Sequence, residues 1–214
     1  MPIATRKPMK KAFTTIELIF VIVVIGILAA VVIPRLQSDR LQNAATLILS
    51  YIRYTQHLAI MDDRFRSNRS EWYQERWRIA FRDCSGPSTQ KYFVVYRDLN
   101  HGGASSAPGK SESAINSLDG KYLYNDGSCN AQRDESEVVL IGKKFGINTL
   151  RLGGGCRNQY IGFDEMGRPY NDLYHHEYNP IESDCLITFG NDEGSFTITI
   201  AKETGYSYIS STTP

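Results

Sequence analysis

The distribution of apolar side chains divides the chain into three stretches. Residues 18–33 (Leu-Ile-Phe-Val-Ile-Val-Val-Ile-Gly-Ile-Leu-Ala-Ala-Val-Val-Ile) carry no polar side chain. With the residues before them, Phe13–Ile33 makes a run of about 31 Å as an α-helix, which matches the roughly 30 Å hydrocarbon core of a bilayer. After Pro34 the pattern turns amphipathic. Leu41, Ala44, Ala45, Ile48, Ile52, Thr55 and Ala59 recur at i, i+3, i+4 spacing, with Asp39, Arg40, Asn43, Arg53 and His57 elsewhere on the surface. No glycine and no second proline interrupts residues 35–61, so one helix is predicted from about residue 14 to 62. Asp62-Asp63 and the charged stretch 64–70 end it.

From residue 77 onward the period changes to that of strands. Trp77–Phe81, Tyr92–Tyr96, Val138–Ile141, Thr149–Leu152, Tyr160–Phe163, Leu186–Phe189 and Phe196–Ile200 are short β-branched or aromatic runs separated by Gly, Asn, Asp and Ser clusters. The clearest alternation is Ser195-Phe196-Thr197-Ile198-Thr199-Ile200, a strand with one buried face. Residues 98–120 read as a long loop. The expected fold class is α+β, a long N-terminal helix laid on an antiparallel sheet.

Overall charge is close to balanced, with 24 basic and 23 acidic residues, but its distribution is not. Arg6, Lys7, Lys10 and Lys11 precede the apolar run with no acidic residue among them, so the N-terminal end is expected in the cytoplasm and the bulk of the chain across the membrane. A chain lacking residues 1–12 has 20 basic against 23 acidic residues, which argues against a nucleic-acid-binding domain built on an overall basic field. A cleaved secretory signal fits poorly: the run is long, and Ile33-Pro34-Arg35 is no small-x-small cleavage site. A plain signal anchor is the simpler alternative.

Glu17 changes that balance. A carboxylate within an apolar segment costs roughly 3 kcal/mol on insertion scales and marks function by default. Lys10-Lys11-Ala12-Phe13-Thr14-Thr15-Ile16-Glu17-Leu18-Ile19 resembles the prepilin signal of type IV pilins and type II secretion pseudopilins. The resemblance covers roughly residues 10–36. It implies that a prepilin peptidase cuts between Ala12 and Phe13 and N-methylates Phe13, that Glu17 serves subunit assembly, and that Pro34 kinks the helix. Ala12 stands where the family usually has glycine. The physical logic is separable from the resemblance: a new α-amino group on Phe13 is a cation that needs a partner among apolar helices, and Glu17 of a neighbouring subunit supplies one. Gly26 and Ala29-Ala30 would permit close helix approach.

The head carries its own likeness. Ile161-Gly162-Phe163-Asp164-Glu165-Met166-Gly167-Arg168-Pro169, and Phe196–Ile200 followed by Thr204-Gly205-Tyr206, are similar to segments of minor pseudopilins of the H type and related minor pilins. The implied organisation is a leader (1–12), a transmembrane and filament-core helix (13–34), an amphipathic half of that helix (35–62) and an exported β-rich head (63–214).

Cys84, Cys129, Cys156 and Cys185 all fall in the head, where two disulfides are expected. Three connectivities are open, with Cys84–Cys129 and Cys156–Cys185 preferred because neighbours in sequence often pair in such heads. Zinc is the competing reading, without any Cys-x-x-Cys pair to support it. His175-His176 lies in a Tyr-rich loop, as a solvated pair or a metal site. Asp98-Leu99-Asn100-His101-Gly102-Gly103 and Asn191-Asp192-Glu193-Gly194 are ordinary turns by composition, with calcium as the alternative. Gly153-Gly154-Gly155 lacks the following Lys-Ser/Thr of a phosphate loop. No catalytic constellation stands out.

The expected function is a minor pseudopilin or minor pilin, assembled through its N-terminal helix for protein secretion, DNA uptake or pilus assembly. Its expected partners are other pilin-like subunits, the prepilin peptidase, an inner-membrane assembly platform and, before assembly, inner-membrane lipid. Two other classes remain. One is a pilus-tip binding module whose head engages DNA, a secreted substrate or a surface. The other is a signal-anchored periplasmic enzyme, which would need a pocket of converging polar groups that the head is expected to lack.

Overall fold

A computed structural model describes residues 14–62, 68, 70–86, 89–102 and 108–213, and for residues 30–39 the backbone alone. The chain divides into two compact units, the first ending at Asp39 and the second beginning at Arg40. In the first, the described backbone is helical from Thr15 onward, as part of helix α1 (Thr15–Met61). Among its described side chains, Thr14–Ala29, every one is exposed.

The second unit is α+β with antiparallel sheets. Its part of α1 buries the stripe Leu41, Ala44, Ala45, Ile48, Ile52, Thr55 and Ala59, with Tyr51 alongside. The opposite face, with Arg40, Asn43, Arg53 and His57, is exposed. A periodicity of 3.6 places those apolar positions on one side, and their burial contributes about 1.5–3 kcal/mol for each large side chain. Strands β1 (Arg78–Asp83), β2 (Lys91–Tyr96), β4 (Tyr160–Phe163) and β5 (Pro169–Tyr170) form one sheet in the order β2-β1-β4-β5. Strands β3 (Thr149–Gly154), β6 (Cys185–Asn191), β7 (Gly194–Ile200) and β8 (Ser207–Thr213) form another, in the order β3-β6-β7-β8.

One core serves the helix and both sheets. Tyr51 of α1 meets Phe93 of β2 with ring centroids 5.1 Å apart, Phe81 of β1 meets Phe189 of β6 edge-on at 4.9 Å, and Phe189 stacks on Phe196 of β7 at 5.3 Å. Such pairs add about 0.5–1.5 kcal/mol beyond their buried area.

Three expectations need correction. The single sheet is two sheets, because β3 pairs with the sequence-distant β6 and not with β4. Val138–Ile141 is not a strand: Glu137–Val139 is a 3-10 turn, and a short helix α2 (Ile141–Phe145) follows, ended by Gly146 in the left-handed region. Its Val139, Leu140 and Ile141 are all buried, so the apolar run reflects burial and carries no strand period. Strands β5 and β8 were unexpected. Pro169 pairs with Phe163 at the sheet edge, the one place where a missing N–H is harmless, and β8 is a hydroxyl-rich strand exposed along most of its length.

Candidate functional site

Helix α1 begins with a local cap. The Glu17 backbone N–H donates to the Thr14 carbonyl at 3.1 Å and lies 3.4 Å from the Thr14 hydroxyl. Thr14-x-x-Glu17 ahead of an apolar run is the readable signature of such a start, giving Glu17 a structural role beside the one the resemblance implies. The Glu17 carboxylate sits in the first turn, where the helix dipole favours a negative charge. Around it Ile16, Leu18, Ile19, Phe20 and the following residues through Leu28 are exposed, from 43% for Val24 to 74% for Ile16. No atom lies near enough to Gly26 to meet a side chain there. Among the described residues no helix is long and apolar enough to cross a membrane. The expected spanning segment Phe13–Ile33 extends past the described side chains at both ends. Ala12 and Phe13, the expected cleavage and methylation positions, lie outside the described residues. Pro34 falls within the helical backbone of α1, and its side chain too lies outside the description.

The cysteines pair Cys84 with Cys129 and Cys156 with Cys185, with Cα atoms 5.6 and 4.7 Å apart. The first ties the end of β1 to an irregular segment in which the Asn125 side chain accepts the N–H groups of Gly127 and Cys129. The second closes the end of the β3–β6 ladder, where Gly154 pairs with Cys185. Bonds of this kind persist in oxidising compartments.

The two oxygen-rich turns use their oxygens internally. Asp98 accepts the Gly102 N–H at 3.0 Å, and the buried Glu112 accepts those of Leu99 and Asn100 at 2.9 and 3.1 Å. Asn191 accepts from the Glu193 and Gly194 N–H groups, while Asp192 takes the Asn148 amide. No group of three or more His, Cys, Asp or Glu side chains is placed to hold a metal among the described residues.

The head does contain a polar cleft, contrary to expectation. It has a volume of about 410 Å³ and lies where the end of β3 and the start of β4 face the loop after β5. His175 lines it, its Nδ1 3.1 and 3.2 Å from the two Asp172 carboxylate oxygens. Burial pushes the Asp172 carboxyl up, but N–H groups of Tyr174 and His175 and the His175 ring outweigh it and hold the group below the ordinary carboxylate range. Tyr160, also lining the cleft, is pushed up to about 12 by burial, against the pull of Arg78. The remaining wall includes Arg157, Asn158, Asn179 and Glu182. No hydroxyl or thiol is hydrogen-bonded to His175 among the described residues; its ring nitrogen is held by Asp172. Sequence reasoning missed the cleft because Gly154-Gly155 and His175 are brought together only by the fold.

Compared with models of protein families, with curated proteins and with solved structures, this chain matches none.

Proposed function

We propose that this chain is a minor subunit of a type IV pilin-like filament, a pseudopilin or pilin whose N-terminal helix is first a membrane anchor and then a filament stem. One observation carries the reading: a carboxylate in the first turn of a helix whose following side chains are apolar and exposed on every face. Eight consecutive apolar residues, Leu18–Ile25, leave no polar face for water, so the segment calls for lipid or for other helices around it. Within such surroundings Glu17 needs a cationic partner, and an amino group released at Phe13 of a neighbouring subunit is of the right charge. The leader, residues 1–12, keeps the N-terminus in the cytoplasm before cutting, and the disulfide-bonded head lies in the periplasm. The prepilin peptidase, an assembly platform and other pilin-like subunits are its partners, and the role is structural.

A second reading has specific support. Tyr206 and Tyr208 stack with centroids 5.8 Å apart and are exposed, and the Arg53 guanidinium lies 5.8 Å from the Tyr206 ring centroid. Tyr178, also exposed, pairs with Arg168 at 5.5 Å. Exposed aromatic rings beside arginines favour a subunit at a filament tip whose head engages DNA, a secreted substrate or a surface.

The test is Glu17→Ala. Incorporation into filaments is expected to fall at least tenfold while the head keeps its stability and both disulfides. Mass spectrometry of native protein is expected to find a methylated Phe13 at the N-terminus. Normal incorporation of the variant would sink the charge-pairing account, and an intact leader would sink the processing account.

A further inference from the structure

We propose that the cleft beside the Cys156–Cys185 disulfide binds a neutral sugar residue, free or at the end of a glycan chain, through Arg157, Asn179, Glu182 and His175. Gly154, Gly155 and His175, which the proposed assembly through the N-terminal helix does not call on, meet here. Gly154 has φ +60°, and a Cβ on Gly154 or Gly155 would collide with the backbone oxygen of Asp184 or Ser183. The glycines therefore let the end of β3 approach the backbone of Ser183 and Asp184 closely.

The opposite wall is held before any ligand arrives. Leu173 and Tyr174 are buried in the head and anchor the loop that carries Asp172 and His175. Asn171 accepts the Arg157 N–H at 3.3 Å and donates to the Gly155 carbonyl, while the Asn158 amide donates to the Asn171 carbonyl at 2.9 Å. The Ile181 N–H donates to the Pro169 carbonyl at 3.2 Å. A rim fixed in this way loses little conformational freedom on binding.

The exposed groups define the ligand. Asp172 occupies Nδ1 of the exposed His175, which leaves Nε2 without a partner among the described residues. The side chains of Arg157, Asn179 and Glu182 make no hydrogen bond or ion pair among the described residues. Together they offer exposed planar donors and acceptors, the complement of adjacent hydroxyls that each donate and accept. Pro180, Ile181 and the Tyr160 ring add an apolar wall for the C–H face of a sugar. Charge decides against an anion: Arg157 is opposed by Asp172 and Glu182, so the cleft has no positive field for a phosphate. Its volume of about 410 Å³ suits one or two sugar units.

The experiment is ligand-observed NMR on the full-length chain in detergent micelles. The probes are glucose, galactose, mannose and N-acetylglucosamine, each as monomer and trimer, with glucuronate and inorganic phosphate as anionic comparisons. At least one neutral sugar is expected to bind saturably, in the millimolar range or tighter. Arg157→Ala and Asn179→Ala, both surface changes, are each expected to weaken it at least tenfold without moving the thermal midpoint, and Arg133→Ala is expected to leave it unchanged. No saturable signal from any neutral probe, tighter binding of an anion, or binding that both cleft variants leave intact would overturn the proposal. None of these outcomes bears on filament entry, which Glu17→Ala reads separately.

Discussion

The two described parts of helix α1 are the same secondary structure with opposite solutions to the same problem. Between Ile16 and Leu28 the apolar side chains point in every direction and all stay exposed. Between Leu41 and Ala59 they keep to one stripe, and that stripe is buried against two sheets. An amphipathic helix can satisfy itself within its own chain, because water takes one face and the core the other. A helix that is apolar all round cannot. On the proposed reading its cover is lipid or other helices. The contrast therefore separates what folds the head from what places it.

The strongest way to break this division is to cut one isoleucine in each part. Ile52 is fully buried, and Ile52→Ala is expected to lower the stability of the head by about 3 kcal/mol through lost burial and an unfilled cavity. Ile22, 61% exposed, is expected to change it by less than about 0.5 kcal/mol when replaced by alanine. Denaturant unfolding of the full chain in micelles, followed by tryptophan fluorescence, measures both. Equal losses would mean that the exposed half contributes to the folding of the head, and the division would fail.

Next comes the far end of the helix, which is fastened by tertiary contacts. The Asp62 carboxylate accepts the Trp77 indole N–H at 3.0 Å and pairs with Arg97 at 2.7 Å, while the Arg97 guanidinium lies 5.2 Å from the Trp77 ring centroid. Asp62→Ala removes a charged acceptor shared by two donors at a partly exposed site, for an expected loss of about 1–2 kcal/mol. The Asn substitution keeps one acceptor and is expected to recover part of it. A loss below about 0.5 kcal/mol would show that packing of the helix stripe alone fixes this end.

How much of this could be read from the residues follows the same line between local and distant. The helix was legible because its causes are local: no breaker between residues 35 and 61, and an i, i+3, i+4 stripe from Leu41 to Ala59 that is the stripe found buried. Strand β7 was legible from its alternation. The Val138–Ile141 run misled because an apolar run buried over most of its length shows no period, whichever structure it adopts. Strand β8 escaped because Ser207-Tyr208-Ile209-Ser210-Ser211-Thr212-Thr213 owes its place to pairing with β7, and a bulge interrupts even that register between Thr197 and Ile198. The partition into two sheets and the cleft depend on pairings such as Gly154 with Cys185, which no local pattern announces. At the candidate assembly site the residue types and spacings of Phe13, Glu17 and Pro34 carry the reading, and the Thr14 cap is equally local, written in Thr14-x-x-Glu17.

That cap supplies the smallest and most discriminating test. The near end of the helix is held by its own sequence: the Thr14 hydroxyl and carbonyl receive the Glu17 N–H, with no side chain of the head involved among the described contacts. Thr14→Val keeps the shape of the side chain and removes the hydroxyl, for an expected local cost of about 1 kcal/mol. Amide exchange in micelles is expected to speed up roughly fivefold at Glu17, as that free energy implies, while the protection of strands β6 and β7 is unchanged. Thr14→Ser should restore the slower exchange. If strand protection fell together with that of the first turn, the helix start and the head would unfold as one unit, and the exposed half could no longer be treated as a separate element.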